Sequence, residues 1–221
     1  MTAATLDEAP ANSGRRLDVF YPILPDAGWI ERLVPLGIRT LQLRLKDAQP
    51  DDVRRQIAAS LEVCRANDCQ LIVNDYWRDA LALGADYIHL GQEDLASADL
   101  AAIRRGGLRL GLSTHSPEEL ETALAASPDY VALGPIFETR LKAMNWAPQG
   151  LERLGAWRRR IGALELVAIA GLTPERASAA LAAGGDSAAV RTDVMAPTDP
   201  VGRVETGLAW AAGERRAPPA H

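Results

Sequence analysis

TLQLRLKD, residues 40–47, decides how this chain is read. Side chains alternate along a strand, so Leu41, Leu43 and Leu45 face one way and Gln42, Arg44 and Lys46 face the other. A parallel strand covered on both sides is ordinarily apolar on both faces. An amide and two cations along one side therefore need a reason. Seven further β-rich segments flank this one: DVFYPIL (18–24), QLIVND (70–75), YIHLG (87–91), RLGLST (109–114), YVALGPIF (130–137), LVAIAG (166–171) and SAAVRTDV (187–194). Between them run amphipathic stretches such as DDVRRQIAASLEVCRA (51–66) and PEELETALAA (117–126), with apolar residues at helical spacing. Ser116, Pro117 and Glu119 read as N-cap, N1 and capping-box partner, and Thr173–Pro174 repeats the cap-then-proline pattern. Strands alternating with helices imply parallel pairing through right-handed crossovers. Eight such units predict an α/β fold, a single-domain (β/α)8 TIM barrel with parallel strands. An open doubly wound sheet is the alternative, and the regularity of eight units favours closure.

Composition sets the bounds. The chain has 221 residues, 48% hydrophobic, and a net charge of −5. That suits one sizeable core and argues against a general nucleic-acid binder, which would be basic, without excluding a local cationic pocket. No apolar run reaches the roughly 18 residues of a membrane span, and the first residues lack the apolar stretch of a secretory signal. We read 1–16 as a disordered leader, 17–213 as the barrel and 214–221 as a flexible tail, in a cytoplasmic protein. Cys64 and Cys69 do not fit a CxxC motif and read as reduced thiols near a helix end. Oligomeric state stays open, with a homodimer as one expectation.

Barrel active sites collect at the C-terminal ends of the strands. Here those ends are polar: Gln42, Arg44 and Lys46 on the second, Asn74 and Asp75 on the third, and His89 leading to Gln92, Glu93 and Asp94 after the fourth. Ser113, Thr114 and His115 close the fifth. Thr139 and Lys142 follow the sixth, on a long connection from Glu138 to Pro148. Gly171 ends the seventh, and Arg191 and Thr192 the eighth. Asp75 and Asp94 fall at the ends of adjacent strands, which lie roughly 5 Å apart, within reach of one hard cation. Mg2+ takes one or two carboxylates together with waters and substrate phosphates. Arg44 and Lys46 would meet the same phosphates, which makes the polar side of TLQLRLKD a diphosphate-binding wall. Internal salt bridges to Asp75 or Asp94 are the bland reading. Gly171 and the capped start at Thr173 suggest a second anion site, although Gly171 also suits a plain tight turn. His89 reads as a satisfied core histidine, and His115 as a cap or a solvent-facing residue.

The ordered set QLRLKD, VNDYWRDAL, GADYIHLGQEDL, LRLGLSTHS, DYVALGPIFETRLK, APQGLERL and VAIAGLTPERA resembles the thiamine-phosphate synthase family from about Phe20 to Trp210. The resemblance implies a Mg2+-assisted transferase that joins hydroxymethylpyrimidine diphosphate to a thiazole phosphate and releases pyrophosphate by a dissociative substitution. Its substrates are small molecules, with no nucleic acid or membrane partner. By the resemblance, Gln42, Arg44, Lys46 and Asn74 bind the pyrimidine diphosphate, and Ser113 and Lys142 also contact it. Arg44, Lys46, Ser113 and Lys142 form the catalytic set. Asp75 and Asp94 hold Mg2+. Thr139, Gly171 and the backbone near Thr192 hold the thiazole phosphate.

Three departures from the family's pattern stand out. Leu141 replaces the second threonine of a T-x-T-K run, Ala170 replaces the first glycine of IGGI, and Arg191 is the oddity of AAVRTDV, where a short apolar residue followed by serine or threonine is common. Arg191 would add a cation to the phosphate site, crowd it, or point outward between helices. They motivate an alternative, a catalytically impaired paralogue that binds thiamine precursors. A thiazole tautomerase-like enzyme is the other alternative; it would use His115 as an acid–base group and would not need the cationic wall or the carboxylate pair.

Overall fold

The computed structural model describes residues 15–46, 48–138 and 146–215. Eight parallel strands close in chain order, β1 pairing with both β2 and β8. They are β1 (Phe20–Leu24), β2 (Thr40–Leu43), β3 (Gln70–Asn74), β4 (Tyr87–Leu90), β5 (Arg109–Thr114), β6 (Tyr130–Leu133), β7 (Glu165–Ile169) and β8 (Ser187–Val190). The helices are α1 (Ala27–Leu33), α2 (Pro50–Ala66), α3 (Trp77–Ala82), α4 (Gln92–Ser97), α5 (Leu100–Arg105), α6 (Pro117–Ala125), α7 (Gly150–Ile161), α8 (Pro174–Ala182), α9 (Thr192–Met195) and α10 (Pro200–Glu214). The predicted barrel is the observed one. None of the described helices is long and apolar enough to cross a membrane.

Local sequence explains the elements. In α2, Pro50 occupies the first turn with Asp51 and Asp52, which suit the positive end of the helix dipole, and Val53, Ile57, Leu61 and Cys64 form its buried stripe. The Ser116 hydroxyl caps α6 by accepting from Glu119 N at 3.3 Å. The capping box itself is displaced: the Glu119 carboxylate reaches His115 N, at 2.7 Å, one residue earlier than expected. Cys64 and Cys69 are free and buried, the first in the last turn of α2 and the second just before β3.

Two apolar layers result. The outer one, between strands and helices, holds Leu41, Leu43 and Leu45 among many others. The inner one fills the barrel with Tyr21, Ile23, Ile72, Tyr87, Tyr130 and Val167. Three strands stop three or four residues short of the ends that the sequence suggests. β2 stops at Leu43, so Arg44 and Lys46 lie just beyond the strand, although the leucines keep their outward alternation through Leu45. β6 stops at Leu133. β8 stops at Val190, because Thr192 opens α9 with Arg191 as its N-cap residue.

Candidate active site

A cavity of about 530 Å3 opens at the C-terminal mouth of the barrel. It is lined by Gln42, Arg44, Lys46, Asn74, Asp75, Asp94, Ser113, Gly171, Arg191 and Thr192, among others. Nine of the eleven site residues expected from sequence thus share one wall system, by count of that lining. The other two, Thr139 and Lys142, lie outside the described residues, as does Leu141.

Each wall follows from its strand. Gln42 points into the barrel and donates through Nε2 to Tyr21 Oη at 3.0 Å. Arg44 N donates to Leu24 O at 2.9 Å, which holds the segment beyond β2 alongside β1. Asn74 ends β3, and Asp75 follows in the left-handed region, with φ 69°. Asp75 N donates to His89 O at 3.0 Å, so the turn is anchored to β4. A left-handed non-glycine residue costs roughly 1–2 kcal/mol, a strain typical of functional sites. Asp94 sits in the first turn of α4 rather than at a strand end. Gln92, at the start of the same helix, donates through Nε2 to Ser113 O at 2.6 Å and ties α4 to β5.

Like charges stand beside each other within this mouth. Burial above all, and then the negative charge of Asp94, raises the Asp75 carboxyl to about 6 against the opposing pull of Arg44. Two neighbouring carboxylates are suited to a shared hard cation. No group of three or more metal-binding side chains occurs among the described residues, so the remaining ligands would come from water and substrate oxygens, the pattern Mg2+ favours. Arg191 is half-buried with its side chain in the cavity. Burial and then Arg44 lower its pKa. It therefore does not point outward between the helices. Neither Arg44 nor Arg191 enters a salt bridge among the described residues.

The far wall is backbone. Gly171 has φ 72°, and a Cβ there would lie 2.6 Å from Phe137 O and 2.7 Å from Glu138 O. Close approach to the connection after β6 thus demands glycine, beyond a mere tight turn. Ala170 shares the left-handed conformation, φ 71°, where its methyl is strained. Gly171 and Thr192 also line an adjoining outer groove of about 1070 Å3.

The histidines differ from each other. His89 is buried with both ring nitrogens hydrogen-bonded, to Tyr130 Oη at 2.7 Å and Ser113 Oγ at 2.8 Å. Burial above all lowers its pKa to about 3, so it is neutral. His115 neither caps a helix nor stands free in solvent. Its Nδ1 is 2.8 Å from the Glu119 carboxylate, and its ring stacks on Trp146 at 5.4 Å between centroids. Sequence reasoning missed Tyr21, Tyr130 and the latch role of Gln92. The available signal was a tyrosine at inward-facing positions of β1 and β6.

Comparison with known proteins agrees with this geometry. Residues 23–194 match the family model described as thiamine monophosphate synthase. The chain belongs to the thiamine monophosphate synthase family. It is 60% identical over 197 residues to a thiamine-phosphate synthase from Rhizobium etli, spanning 89% of this chain and 97% of that protein. A thiamine-phosphate synthase from Neisseria meningitidis is 49% identical over 173 residues, 78% of this chain and 84% of the relative. Among solved structures, the thiamine phosphate pyrophosphorylase from Pyrococcus furiosus superposes with a TM-score of 0.77 at 26% identity, covering 88% of this chain and 95% of that one. Orotidine 5′-phosphate decarboxylase from Pyrococcus horikoshii, at 15% identity and a TM-score of 0.63 over 88% of this chain and 99% of its own, shares the fold alone. Membership of the synthase family places the chain among transferases of thiamine biosynthesis.

Proposed function

We propose that this chain is a thiamine-phosphate synthase that joins hydroxymethylpyrimidine diphosphate to thiazole phosphate. The observation that carries the reading is the pairing of like charges in the mouth: Asp75 beside Asp94 and Arg44 beside Arg191, in one cavity with Lys46. Such like-charge pairs are relieved by a cation and a polyanion bound together. Arg44, Lys46 and Ser113, with Lys142 from the connection after β6, hold the diphosphate. Gln42 and Asn74 orient the pyrimidine. Gly171, Thr139 and the backbone at Thr192 hold the thiazole phosphate where the inner cavity meets the outer groove. Asp75 and Asp94 would hold Mg2+, which when bound offsets charge on the departing diphosphate. The catalytic unit is 17–213.

The C–O bond of the pyrimidine methylene breaks, and its electron pair leaves with the diphosphate. The resulting pyrimidine-methyl cation is captured by the lone pair of the thiazole nitrogen, forming the new C–N bond. No side chain acts as a nucleophile. Fixed cations and hydrogen-bond donors aimed at the departing oxygens lower the barrier, since they need no reorganisation as charge develops. A tautomerase would have no use for the cations on the β2 side of the cavity.

The test is reconstitution from purified protein, both substrates and Mg2+, omitting each in turn and quantifying thiamine phosphate and pyrophosphate. Stoichiometric formation of both, dependent on every component, is expected. A folded protein that binds a substrate and makes no product would instead be an impaired binder, with Arg191 and Leu141 the first residues to revert.

A further inference from the structure

Gln42 and Ser113, on opposite sides of the cavity, are joined by three buried side chains that the proposed reaction does not use. Gln42 Nε2 lies 3.0 Å from Tyr21 Oη, and Tyr21 Oη lies 3.0 Å from Tyr130 Oη. Tyr130 Oη is 2.7 Å from His89 Nδ1, and His89 Nε2 is 2.8 Å from Ser113 Oγ. The path crosses the barrel from β2 through β1, β6 and β4 to β5. Room for it comes from Gly111 on β5, where a Cβ would lie 2.1 Å from the Tyr130 ring. Tyr130 also stacks on His89 at 5.5 Å between centroids, with the rings inclined by 19°.

Such a chain has a direction. An amide nitrogen only donates, so Tyr21 Oη accepts from Gln42. The hydrogen of Tyr21 then has one hydrogen-bond partner among the described residues, Tyr130 Oη. Tyr130 accepts it and turns its own hydrogen to His89 Nδ1. A neutral imidazole that accepts at Nδ1 carries its hydrogen at Nε2 and donates it to Ser113 Oγ. The reverse order would strand the Tyr21 hydrogen in an apolar interior, at a cost of about 1–3 kcal/mol. We infer that this buried chain sets the polarity of Ser113: His89 is held as the Nε2–H tautomer, and the Ser113 hydroxyl hydrogen is left to point into the cavity as a donor. Tyr21, Tyr130 and His89 are thus positioning residues. The inference rests on the proposed function only for its purpose, because a donor is the polarity an anionic diphosphate requires and a lone pair there would repel it.

The test reads the tautomer directly. In a nitrogen-15 NMR spectrum of the labelled protein, with His89 assigned by difference from His89→Gln, Nδ1 is expected in the pyridine-type region and Nε2 in the pyrrole-type region. Gln42→Glu replaces the donor with a carboxylate that accepts from Tyr21. Every bond then reverses and the two His89 signals exchange character. Adding Tyr130→Phe cuts the path and abolishes that exchange. A wild-type His89 protonated at Nδ1, or a folded Gln42→Glu protein with the wild-type pattern, would overturn the inference. If Gln42→Glu does not fold, the wild-type spectrum decides alone. Absence of product in the reconstitution would defeat the functional reading and leave the tautomer result untouched.

Discussion

The two ends of the barrel use the same residue types in opposite ways. At the N-terminal end, cations meet carboxylates. Arg16 pairs with Glu165 at 2.9 Å and Asp186 at 3.1 Å, Arg215 with Asp18 at 2.7 Å, and Arg158 with Asp186. Arg158 also donates to the carbonyls of Gly184, Gly162 and Leu164. The exceptions are the Gln70 amide, Tyr87 Oη and Arg109 Nη2, buried there without a protein hydrogen-bond partner among the described residues. At the C-terminal end, like charges are also neighbours: Asp75 lies beside Asp94 and Arg44 beside Arg191, although Arg44 also attracts Asp75 and Asp193 pairs with Arg203. One end commits its charges to ion pairs, and on the function proposed above the other end presents them to a ligand. Substitutions at the two ends should therefore fail in different assays.

The sharpest break in that contrast is Asp94→Ala. Turnover should fall roughly 10³-fold, the scale of losing a main electrostatic stabiliser, and its Mg2+ dependence should flatten. Unchanged kinetics at both limiting and saturating Mg2+ would remove Asp94 from the metal site. Arg44→Ala should cost about 10²-fold, expressed more strongly against the pyrimidine diphosphate than the thiazole phosphate. An equal loss for both substrates would place Arg44 elsewhere. At the other end, Arg158→Ala should lower unfolding free energy by about 2 kcal/mol, the scale of hydrogen bonds to charged groups. Urea denaturation measures this, and KM should not move.

Arg191→Val tests the mouth at smaller scale. Use of the thiazole phosphate should weaken about tenfold, the equivalent of one charge-assisted contact, while stability rises because a half-buried cation beside Arg44 is gone. Tighter binding of the thiazole phosphate would instead mean that Arg191 crowds the site. The subtlest effect is on pH. The folded-state pKa of Asp75 is raised, so its ionised form destabilises the metal-free protein above about pH 6. That penalty fades as pH falls toward the ordinary carboxyl range near 4, where both states are protonated. Asp75→Asn should be more stable than wild type at pH 7.5 without Mg2+, and the two melting curves should converge near pH 4. A constant offset would point to a cause other than the proton.

Much of this was legible in the chain. The eight strands announced themselves because most are short apolar runs bounded by turn residues, and Ser116 and Thr173 marked helix starts through hydroxyl capping. The mouth was legible because TLQLRLKD alternates, and alternation survived two residues past the end of β2. What stayed hidden depended on distant partners. Nothing near Tyr130 shows that Gly111, on the neighbouring strand, clears its path. The side chain of Arg191 could be placed only once α9 was seen to begin at Thr192. The backward reach of Glu119 to His115 depends on turn geometry that residue types alone do not encode.

The two proposed metal carboxylates are mounted differently. Asp75 is fixed to the sheet through His89 O, whereas Asp94 rides on a six-residue helix latched to β5 by the Gln92 amide. The pair works like a vice with one fixed jaw and one on a short arm. If the pair holds a metal as proposed, adapting it to a larger cation would fall to the α4 side and not to the barrel strands. On that proposal, metal preference would be open to redesign within residues 91–98, as a cassette separate from the strands that line the cavity.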